Sequence, residues 1–481
     1  MATTNGNRKI LDQKRWDFCS PAPAATSAGQ FVASSRCYRQ QQMLVQSAVL
    51  AYLYNPSEDG WIQVPSPALA GTFGVGACGV GGAMSTGSTI GAASLTATAG
   101  STTTITTNQP LARDLRGYSV QILAGPNAGE TKTIASNTTG ANAVITFTAA
   151  SGVAFSASTV YRLICPRWYV LCAGTLAANA FKVYDFATNT WTALTVTGLP
   201  ATVGTDGKLV STPSWLDSAY VNFATGTATA GGASTLTNSG KAWTTNQWAN
   251  SQIRITGGTG VGQIRTIASN TGTVITTSAA WTANPDATST YEISGNDDYL
   301  YFLGNAAVTM YRYSISANTW TTLAPGTARL AAPAVGMSAH WVWGATETDW
   351  NVENTILNGR YLYSFRGGAG ALLDRYDIAL NAWQPTAGVV YSPATEVFGA
   401  GTKYNLVGGD LYIQKDATGR WFRFNIPTSA MDGWNTMLYT QGAAVAGDTA
   451  FDVTYTDGAT EITYVYMLLN TSAIMLRQMV I

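Results

Sequence analysis

The stretch RYLYSFRGGAGALLDRYDIALNAWQP, residues 360–385, contains the pattern that decides the fold. An aromatic strand ends at Gly367-Gly368, a second strand ends at Tyr376-Asp377, and an asparagine-containing turn leads to Trp383. Alternation within Tyr-Leu-Tyr indicates a strand with two unlike faces, and glycine with asparagine indicates tight turns. The stretch is therefore predicted to form hairpin-connected strands of one small sheet.

The same pattern recurs along the chain, which indicates a repeat architecture. It reads AYLYNPSEDGWIQVP around Trp61, KVYDFATNTWTAL around Trp191, MYRYSISANTWTTLAP around Trp320 and, more loosely, RWFRFNIPTSAMDGW up to Trp434. An apolar strand lies roughly twenty residues before each tryptophan, the length of two neighbouring strands with their turns. Packing between neighbouring sheets accounts for these aromatic residues without a ligand, because large aromatic side chains dominate core burial. The repeated tyrosines are Tyr184, Tyr313 and Tyr376.

The two ends of the sequence supply parts of one further unit. The final segment, ITYVYMLLNTSAIMLRQMVI, contains two strand patterns but stops before any tryptophan. The segment KRWDFCSPAP near the start supplies Trp16. An N-terminal strand that completes the last sheet closes a ring and removes exposed strand edges. Six repeat units are therefore predicted, marked by Trp16, Trp61, Trp191, Trp320, Trp383 and Trp434.

A strand ending in two glycines, followed by Tyr-Asp, a turn and Trp, resembles the Kelch repeat. The resemblance covers most of the chain outside two inserted segments, and it implies an all-β, six-bladed Kelch-like β-propeller closed by the N-terminal strand. Two units depart from the motif. Gly304 stands alone where the motif has two glycines, and Ser314 replaces the aspartate that should follow Tyr313.

Two inserted segments form a second repeat of their own. GYSVQILAGPNAGETKTIASNT and NSQIRITGGTGVGQIRTIASNT share the motif TIASNT at residues 133–138 and 266–271. Both copies read as short Thr/Val/Ile strands with glycine turns, so each is predicted to be a small β-rich domain. The predicted boundaries are propeller 1–90, insert A 91–163, propeller 164–225, insert B 226–293 and propeller 294–481.

Each insert is expected to follow the first strand of a blade and to precede the second. The predicted first strands lie in GTFGVGACGV, before insert A, and in LDSAYVNFAT, before insert B. Insertion at matching positions of consecutive blades places both inserts on one face of the ring. Such an arrangement is typical of an assembly or display device.

The second insert, in which Trp243, Gln247 and Trp248 precede the GQIRTIASNT core, resembles modules that recur in virion proteins of tailed bacteriophages. This resemblance implies a non-enzymatic structural protein of the tail, neck or capsid exterior, located in the virion and assembled in the host cytoplasm. It also implies other virion proteins as partners and a symmetric homo-oligomer. A carbohydrate- or host-receptor-binding propeller is the alternative.

Charge and composition argue against several partners and chemistries. The 26 basic and 26 acidic residues balance, and no basic run occurs, so neither nucleic acid nor a membrane is an expected partner. No apolar run is long enough to span a bilayer. The single histidine, His340, excludes an ordinary multi-histidine zinc or copper site, and no cofactor or metal is predicted. The five cysteines are scattered and are expected to be mostly buried free thiols.

Glycosidase chemistry is a third, weaker hypothesis for this chain. Sialidase propellers carry Ser-x-Asp-x-Gly-x-x-Trp boxes, which SAMDGW matches poorly. Glu347, Asp349 and Glu353 could serve as paired carboxylates, although a solvated acidic loop is the simpler explanation, since exposed carboxylates are the norm. GGTGVG, residues 257–262, precedes a strand pattern instead of a helix, so it does not meet the requirement for a phosphate-binding loop. No catalytic residue is predicted.

Overall fold

The computed structural model describes most of the chain and shows strands, turns and irregular segments but no helix in the described residues. The chain is therefore all-β, as the strand repeat predicts. No helix long and apolar enough to cross a membrane occurs in the described part. The described residues are 16–21, 30–32, 43–47, 50–55, 59–65, 78–82, 94–165, 167–172, 174–204, 207–211, 224–304, 307–334, 336–343, 358–368, 372–384, 389–390, 403–407, 410–415, 420–425, 430–436, 449–457, 460–468 and 475–480.

Six antiparallel sheets with a four-strand core path lie outside the inserts in the described residues. We number them in chain order. Sheet 1 contains Gln30–Val32, Met43–Ser47, Leu50–Asn55 and Gly60–Val64; sheet 2 contains Cys78–Gly82, Arg167–Leu171, Phe181–Asp185 and Thr190–Leu194; sheet 3 contains Lys208–Ser211, Tyr299–Leu303, Met310–Ser314 and Thr319–Thr322.

The remaining three sheets repeat this meander. Sheet 4 contains His340–Trp343, Asn358–Phe365, Leu372–Asp377 and Ala382–Trp383, with Val389–Val390 as an extra partner of its third strand; sheet 5 contains Lys403–Val407, Asp410–Lys415, Arg420–Asn425 and Ala430–Thr436; sheet 6 contains Thr449–Asp457, Thr460–Leu468, Met475–Val480 and Trp16–Phe18. A two-stranded ribbon pairs Gly174–Thr175 with Thr202–Val203.

Sheet 6 joins the two ends of the described chain. Its first three strands come from the C-terminal region, and its fourth strand, Trp16–Phe18, comes from the N-terminal region. The register places Trp16 opposite Gln478 and Phe18 opposite Leu476. The N-terminal strand therefore covers an edge that would otherwise expose unpaired backbone groups.

The inserts share one strand order, and each forms its own β module. Insert A is a closed barrel of Leu95–Gly100, Thr104–Thr107, Ser119–Ala124, Thr131–Asn137, Val144–Phe147 and Val160–Ile164. Insert B contains Ala224–Thr227, Ala230–Gly232, Thr235–Thr237, Gln252–Gly257, Ile264–Asn270, Val274–Thr277 and Thr290–Ser294. The strand Leu95–Gly100 closes the barrel of insert A. Its counterpart in insert B is divided into two short strands, Ala224–Thr227 and Ala230–Gly232.

Both inserts lie between the first and second strands of a sheet, insert A in sheet 2 and insert B in sheet 3. The strand predicted within LDSAYVNFAT is not the first strand of sheet 3. That strand is Lys208–Ser211, and Ala224–Thr227 pairs with Thr290–Ser294 inside insert B. The alternating apolar residues of LDSAYVNFAT do not reveal which module the segment belongs to, and residues 212–223 lie outside the described part.

The two inserts differ in how their cores connect to the rest of the chain. Buried residues of insert A, such as Tyr118 and Ile122, belong to one hydrophobic cluster with Trp168 and Tyr184 of sheet 2 and Leu53 of sheet 1. The core of insert B is a separate cluster that includes Trp243, Trp248 and Trp281. Insert A is thus packed into the sheets, whereas insert B buries its apolar residues within itself.

Candidate functional site

The six marker tryptophans all lie in the fourth strands of the six sheets. Trp16, Trp61, Trp191, Trp320, Trp383 and Trp434 belong to sheets 6, 1, 2, 3, 4 and 5, respectively. In sheet 5 the ladder has a register shift, and Trp434 falls between the paired residues Gly433 and Asn435. The repeat that the sequence predicts therefore corresponds to one recurring position in each sheet.

In four sheets the tryptophan stands opposite a buried tyrosine of the third strand. The ring centroids of Tyr313 and Trp320 lie 5.0 Å apart, and those of Tyr376 and Trp383 lie 5.3 Å apart. Burial raises the pKa of the Tyr313 phenol above its ordinary value, so the hydroxyl stays protonated and donates a hydrogen bond. The four cross-strand pairs are Tyr54–Trp61, Tyr184–Trp191, Tyr313–Trp320 and Tyr376–Trp383.

The turn between each tyrosine and its tryptophan contains a residue in the left-handed region, where asparagine and aspartate are the best-tolerated residues after glycine. In sheet 3 this residue is Asn318, with a φ of 50°. The Tyr313 hydroxyl donates to the Asn318 Oδ1 atom over 2.6 Å. The same bond joins Tyr54 to Asp59, Tyr184 to Asn189 and Tyr376 to Asn381.

Each of these units also binds the backbone just beyond the fourth strand of the preceding sheet. The Trp320 indole N–H donates to the Thr195 carbonyl oxygen over 2.9 Å, and the Thr195 N–H donates to the Asn318 Oδ1 atom over 3.1 Å. Hydrogen bonds of the same kind link neighbouring sheets elsewhere, from the Trp191 indole to the Pro65 carbonyl, from the Trp61 indole to the Ser20 carbonyl, and from the Asn381 amide to the Ala324 carbonyl. The tryptophan and turn asparagine side chains therefore connect sheet 6 to sheet 1, sheet 1 to sheet 2, sheet 2 to sheet 3 and sheet 3 to sheet 4.

Ser314 stands where the repeat has an aspartate, and the missing carboxylate is supplied by a residue that lies just before a neighbouring strand. In sheets 2 and 4 the aspartate after the tyrosine accepts hydrogen bonds from the N–H groups of its turn, as Asp185 does from Ala187. In sheet 3 Asp298 accepts from the Ser316 N–H over 2.6 Å and from the Ser314 hydroxyl over 2.7 Å. The carboxylate is kept, although it comes from the residue before the second strand.

Gly367 and Gly368, the double glycine of the motif, both have positive φ values, 68° and 67°. A Cβ atom at Gly368 would lie 3.0 Å from the Ala334 Cβ atom. Nearby, the Asp374 carboxylate accepts from Arg329 and Arg366, each over 2.6 Å. Arg329 also stacks on the Trp383 ring, 4.7 Å from its centroid. These charged groups therefore stabilise sheet 4 through one buried network.

Of the histidine and carboxylates weighed for catalysis or metal binding, the described structure includes His340. His340 lies in the first strand of sheet 4, and burial, with a smaller contribution from Lys208, lowers its pKa to about 3. Its imidazole is therefore neutral at ordinary pH. No group of three or more His, Cys, Asp or Glu side chains that could hold a metal ion occurs in the described residues. Glu347, Asp349 and Glu353 lie outside the described residues.

Three of the cysteines are described with their side chains. Cys19, Cys165 and Cys172 are buried free thiols, which confirms the expectation for these three residues. Burial raises the pKa of the Cys172 thiol to about 11, so it remains protonated at neutral pH.

Insert A rests on the turn between the third and fourth strands of sheet 2. The Ala112 N–H donates to the Ala187 carbonyl over 2.9 Å, and Arg113 donates to the Asn189 Oδ1 atom over 2.6 Å. The Tyr118 ring packs edge-on against Phe186, with centroids 5.3 Å apart. Insert A is held by a backbone bond, a side-chain bond and an apolar contact at one turn.

Insert B reaches sheet 4, although it is inserted in sheet 3. The Asn250 side chain donates to the Ile378 carbonyl of sheet 4 over 3.2 Å and accepts from Arg312 of sheet 3 over 3.0 Å. Its backbone carbonyl accepts from the Asn296 amide over 3.1 Å. Ile378 lies two residues after Tyr376 in sheet 4, and Phe186 lies two residues after Tyr184 in sheet 2. The two inserts therefore contact equivalent turns, insert A in sheet 2 and insert B in sheet 4.

The inserts also contact each other. A Cβ atom added at Gly262 of insert B would lie 2.2 Å from the Leu123 carbonyl oxygen of insert A. A Cβ atom added at Gly129 of insert A would lie 2.7 Å from a Val261 methyl group and 3.6 Å from the Thr256 carbonyl oxygen of insert B. Both glycines have φ near 90°, namely 86° and 89°. Glycine therefore permits an approach that any side chain would block.

The candidate functional site is this pair of inserts, which contact sheets 2, 3 and 4. Sequence reasoning identified the two copies and their glycine turns, but it missed the contact between them and the anchor residues Arg113 and Asn250. One signal in the sequence bears on the contact. The sequence GPNAGE aligns with GTGVGQ, and both keep glycine at the contact position.

The comparisons with known proteins add no family. No protein-family model matches the chain, and no curated protein matches it. Among solved structures, a structural-genomics protein of unknown function from Bacteroides thetaiotaomicron matches with a TM-score of 0.24 and 11% identity. The match covers 77% of this chain and 66% of that chain, so this chain spans slightly less than two thirds of the length of that protein.

Proposed function

We propose that the six sheets are the blades of a Kelch-like β-propeller. Contacts between first strands support this arrangement, because they join sheets 1 and 2, 2 and 3, 3 and 4, 5 and 6, and 6 and 1. Between sheets 4 and 5 the Phe365 and Phe424 rings lie 5.7 Å apart. A cyclic order of neighbouring sheets, joined through their first strands at five of the six junctions, is the arrangement of blades around a central axis.

We further propose that the chain is a non-enzymatic structural protein of a bacteriophage virion, in the tail, neck or capsid exterior. The paired inserts are the observation that carries this proposal. Two homologous β modules, anchored to equivalent turns and in mutual contact, form one platform suited to contact with neighbouring proteins. The resemblance of the inserts to phage modules supplies the phage context, and the proposed partners are other virion proteins in symmetric copies.

The test is incorporation into particles. A phage that lacks the chain would be complemented with the wild type, with a variant lacking residues 94–165 and 224–295, or with Ile62→Arg as a control. Ile62 is a 49% exposed side chain on the fourth strand of sheet 1, outside both inserts. Particles should contain the wild type and the control but lose the insert-deleted protein. Normal incorporation of a folded insert-deleted protein would contradict the assembly role, and absence of the chain from purified particles would contradict the virion proposal.

One observation favours the alternative, a glycan- or receptor-binding propeller. Half-buried tyrosines at equivalent positions of sheets 3, 4 and 6 carry a stacked guanidinium, with ring-to-Cζ distances of 4.3, 4.5 and 5.1 Å in the pairs Tyr299–Arg312, Tyr361–Arg375 and Tyr464–Arg477. Aromatic faces and guanidinium groups suit an acidic sugar. A glycan array with the purified chain tests this role, and Tyr361→Ala should lower any signal that the wild type gives.

A further inference from the structure

The contact between the inserts uses equivalent residues on both modules. The shared motif sets a constant offset, so that Gly129 corresponds to Gly262 and Leu123 to Thr256. A Cβ atom at Gly262 of insert B would lie 2.2 Å from the Leu123 carbonyl oxygen of insert A, and a Cβ atom at Gly129 of insert A would lie 3.6 Å from the Thr256 carbonyl oxygen of insert B, so the same positions meet with the first contact the closer of the two. Each contact is therefore the counterpart of the other with the two modules exchanged.

Reciprocal contacts of this kind define an isologous interface, in which one surface pairs with a second copy of itself. Two copies related only by the step from one blade to the next would instead meet through two different surfaces. The local backbone supports the equivalence, because the Gly129 N–H donates to the Ile122 carbonyl and the Gly262 N–H to the Ile255 carbonyl, both over 2.9 Å.

We propose that the hairpin surface formed by residues 123–131 in insert A, and by residues 256–264 in insert B, is a homotypic docking surface whose partner is another copy of the same module. Within one chain, inserts A and B satisfy each other. When one of the two surfaces is blocked, the other is left free to pair with the same surface of a second chain. This inference does not depend on the virion proposal, since it concerns only what the module recognises.

The test blocks one surface without straining the backbone. Val261 lies outside the residues with positive φ, and its methyl group faces Gly129, so Val261→Arg places a long charged side chain in the contact. Ala128→Arg changes the corresponding position of insert A. The control is Ile62→Arg, at a 49% exposed residue of sheet 1 that lies outside both inserts. Molar mass is measured by light scattering across a concentration series, and circular dichroism checks the fold.

Each single variant should double the molar mass relative to the wild type, which for one chain is 50.6 kDa, as free surfaces pair between chains. The double variant Val261→Arg/Ala128→Arg and the control should both keep the wild-type mass. A folded Val261→Arg protein that keeps the wild-type mass at every concentration overturns the inference, as does a double variant that still doubles in mass. If Val261→Arg does not fold, Val261→Glu and Ala128→Glu give the same comparison with a shorter side chain. Failure of this test leaves the incorporation experiment unaffected.

Discussion

Asn318 offers the sharpest test of how neighbouring sheets are joined. Its Oδ1 atom accepts from the Tyr313 hydroxyl over 2.6 Å and from the Thr195 N–H over 3.1 Å, and its φ is 50°. Asn318→Ala removes both hydrogen bonds, each contributing about 1 kcal/mol. It also places alanine in the left-handed region, which costs about 1 kcal/mol more. The expected loss of unfolding free energy is therefore about 3 kcal/mol.

Matched substitutions separate these contributions. Asn318→Gly removes the backbone penalty and should cost about 2 kcal/mol, and Asn318→Asp keeps the acceptor and should cost under about 1 kcal/mol. Aspartate is suited to this position because Asp59 accepts the corresponding bonds from Tyr54 and Ser20 in sheet 1. Asn142→Ala, at an exposed residue of insert A with a φ of 53°, carries only the backbone penalty.

The assay is urea unfolding followed by tryptophan fluorescence, with the midpoint and slope compared across the four variants and the wild type. If Asn318→Ala loses no more stability than Asn142→Ala, the two hydrogen bonds do not stabilise the junction between sheets 2 and 3. If Asn318→Asp loses as much as Asn318→Ala, the oxygen acceptor is not what the position requires. Either result would refute the reasoning.

Three further predictions concern closure, the inserts and pH. Deletion of residues 1–20 should lower the melting temperature of the whole chain, because Met475–Val480 loses one of its two partner strands. A truncated chain that melts like the wild type would contradict this role. Excision of residues 224–295 should lower the melting temperature less than excision of residues 94–165. The reason is that the core of insert B is separate, whereas the core of insert A is shared with sheets 1 and 2. A larger loss of melting temperature on excision of insert B would contradict this prediction. Since His340 has a pKa of about 3 in the folded chain and an ordinary value of 6.5, the unfolded chain binds the extra proton between these values. Acidification from pH 6.5 should therefore lower the free energy of unfolding by at most about 1.4 kcal/mol per pH unit. Urea unfolding at a series of pH values should show a smaller loss in His340→Gln than in the wild type.

Much of the strand repeat could be predicted from sequence because it depends on local patterns. Tyr376, Asn381 and Trp383 lie within eight residues of one another, and the turn between them needs a residue that tolerates positive φ. The strand supplied by Trp16 could also be predicted, since the last repeat lacks only its fourth strand. The duplicated inserts were visible because TIASNT occurs twice.

Strand assignment failed where sequence pattern and tertiary context diverge. LDSAYVNFAT has a strand pattern, yet Ala224–Thr227 pairs within insert B, and the first strand of sheet 3 is Lys208–Ser211. Likewise, Ser314 reads as a lost aspartate, although Asp298, the residue before the adjacent strand, supplies the carboxylate. A pattern reports which side chains favour a pleated surface, and it does not report which partner strand supplies the hydrogen bonds.

The sequence by itself determined that the chain is all-β, where its repeated tyrosines and tryptophans lie, and that it carries one β module twice. Only the tertiary structure decided that the Trp320 indole bonds to Thr195, 125 residues away, and that Gly129 and Gly262 bring the modules into reciprocal contact. Repeats and turns depend on neighbours in the chain, whose preferences each residue carries with it. Contacts between modules depend on how distant surfaces approach in space, and two glycines 133 positions apart show that relation only after the chain has folded.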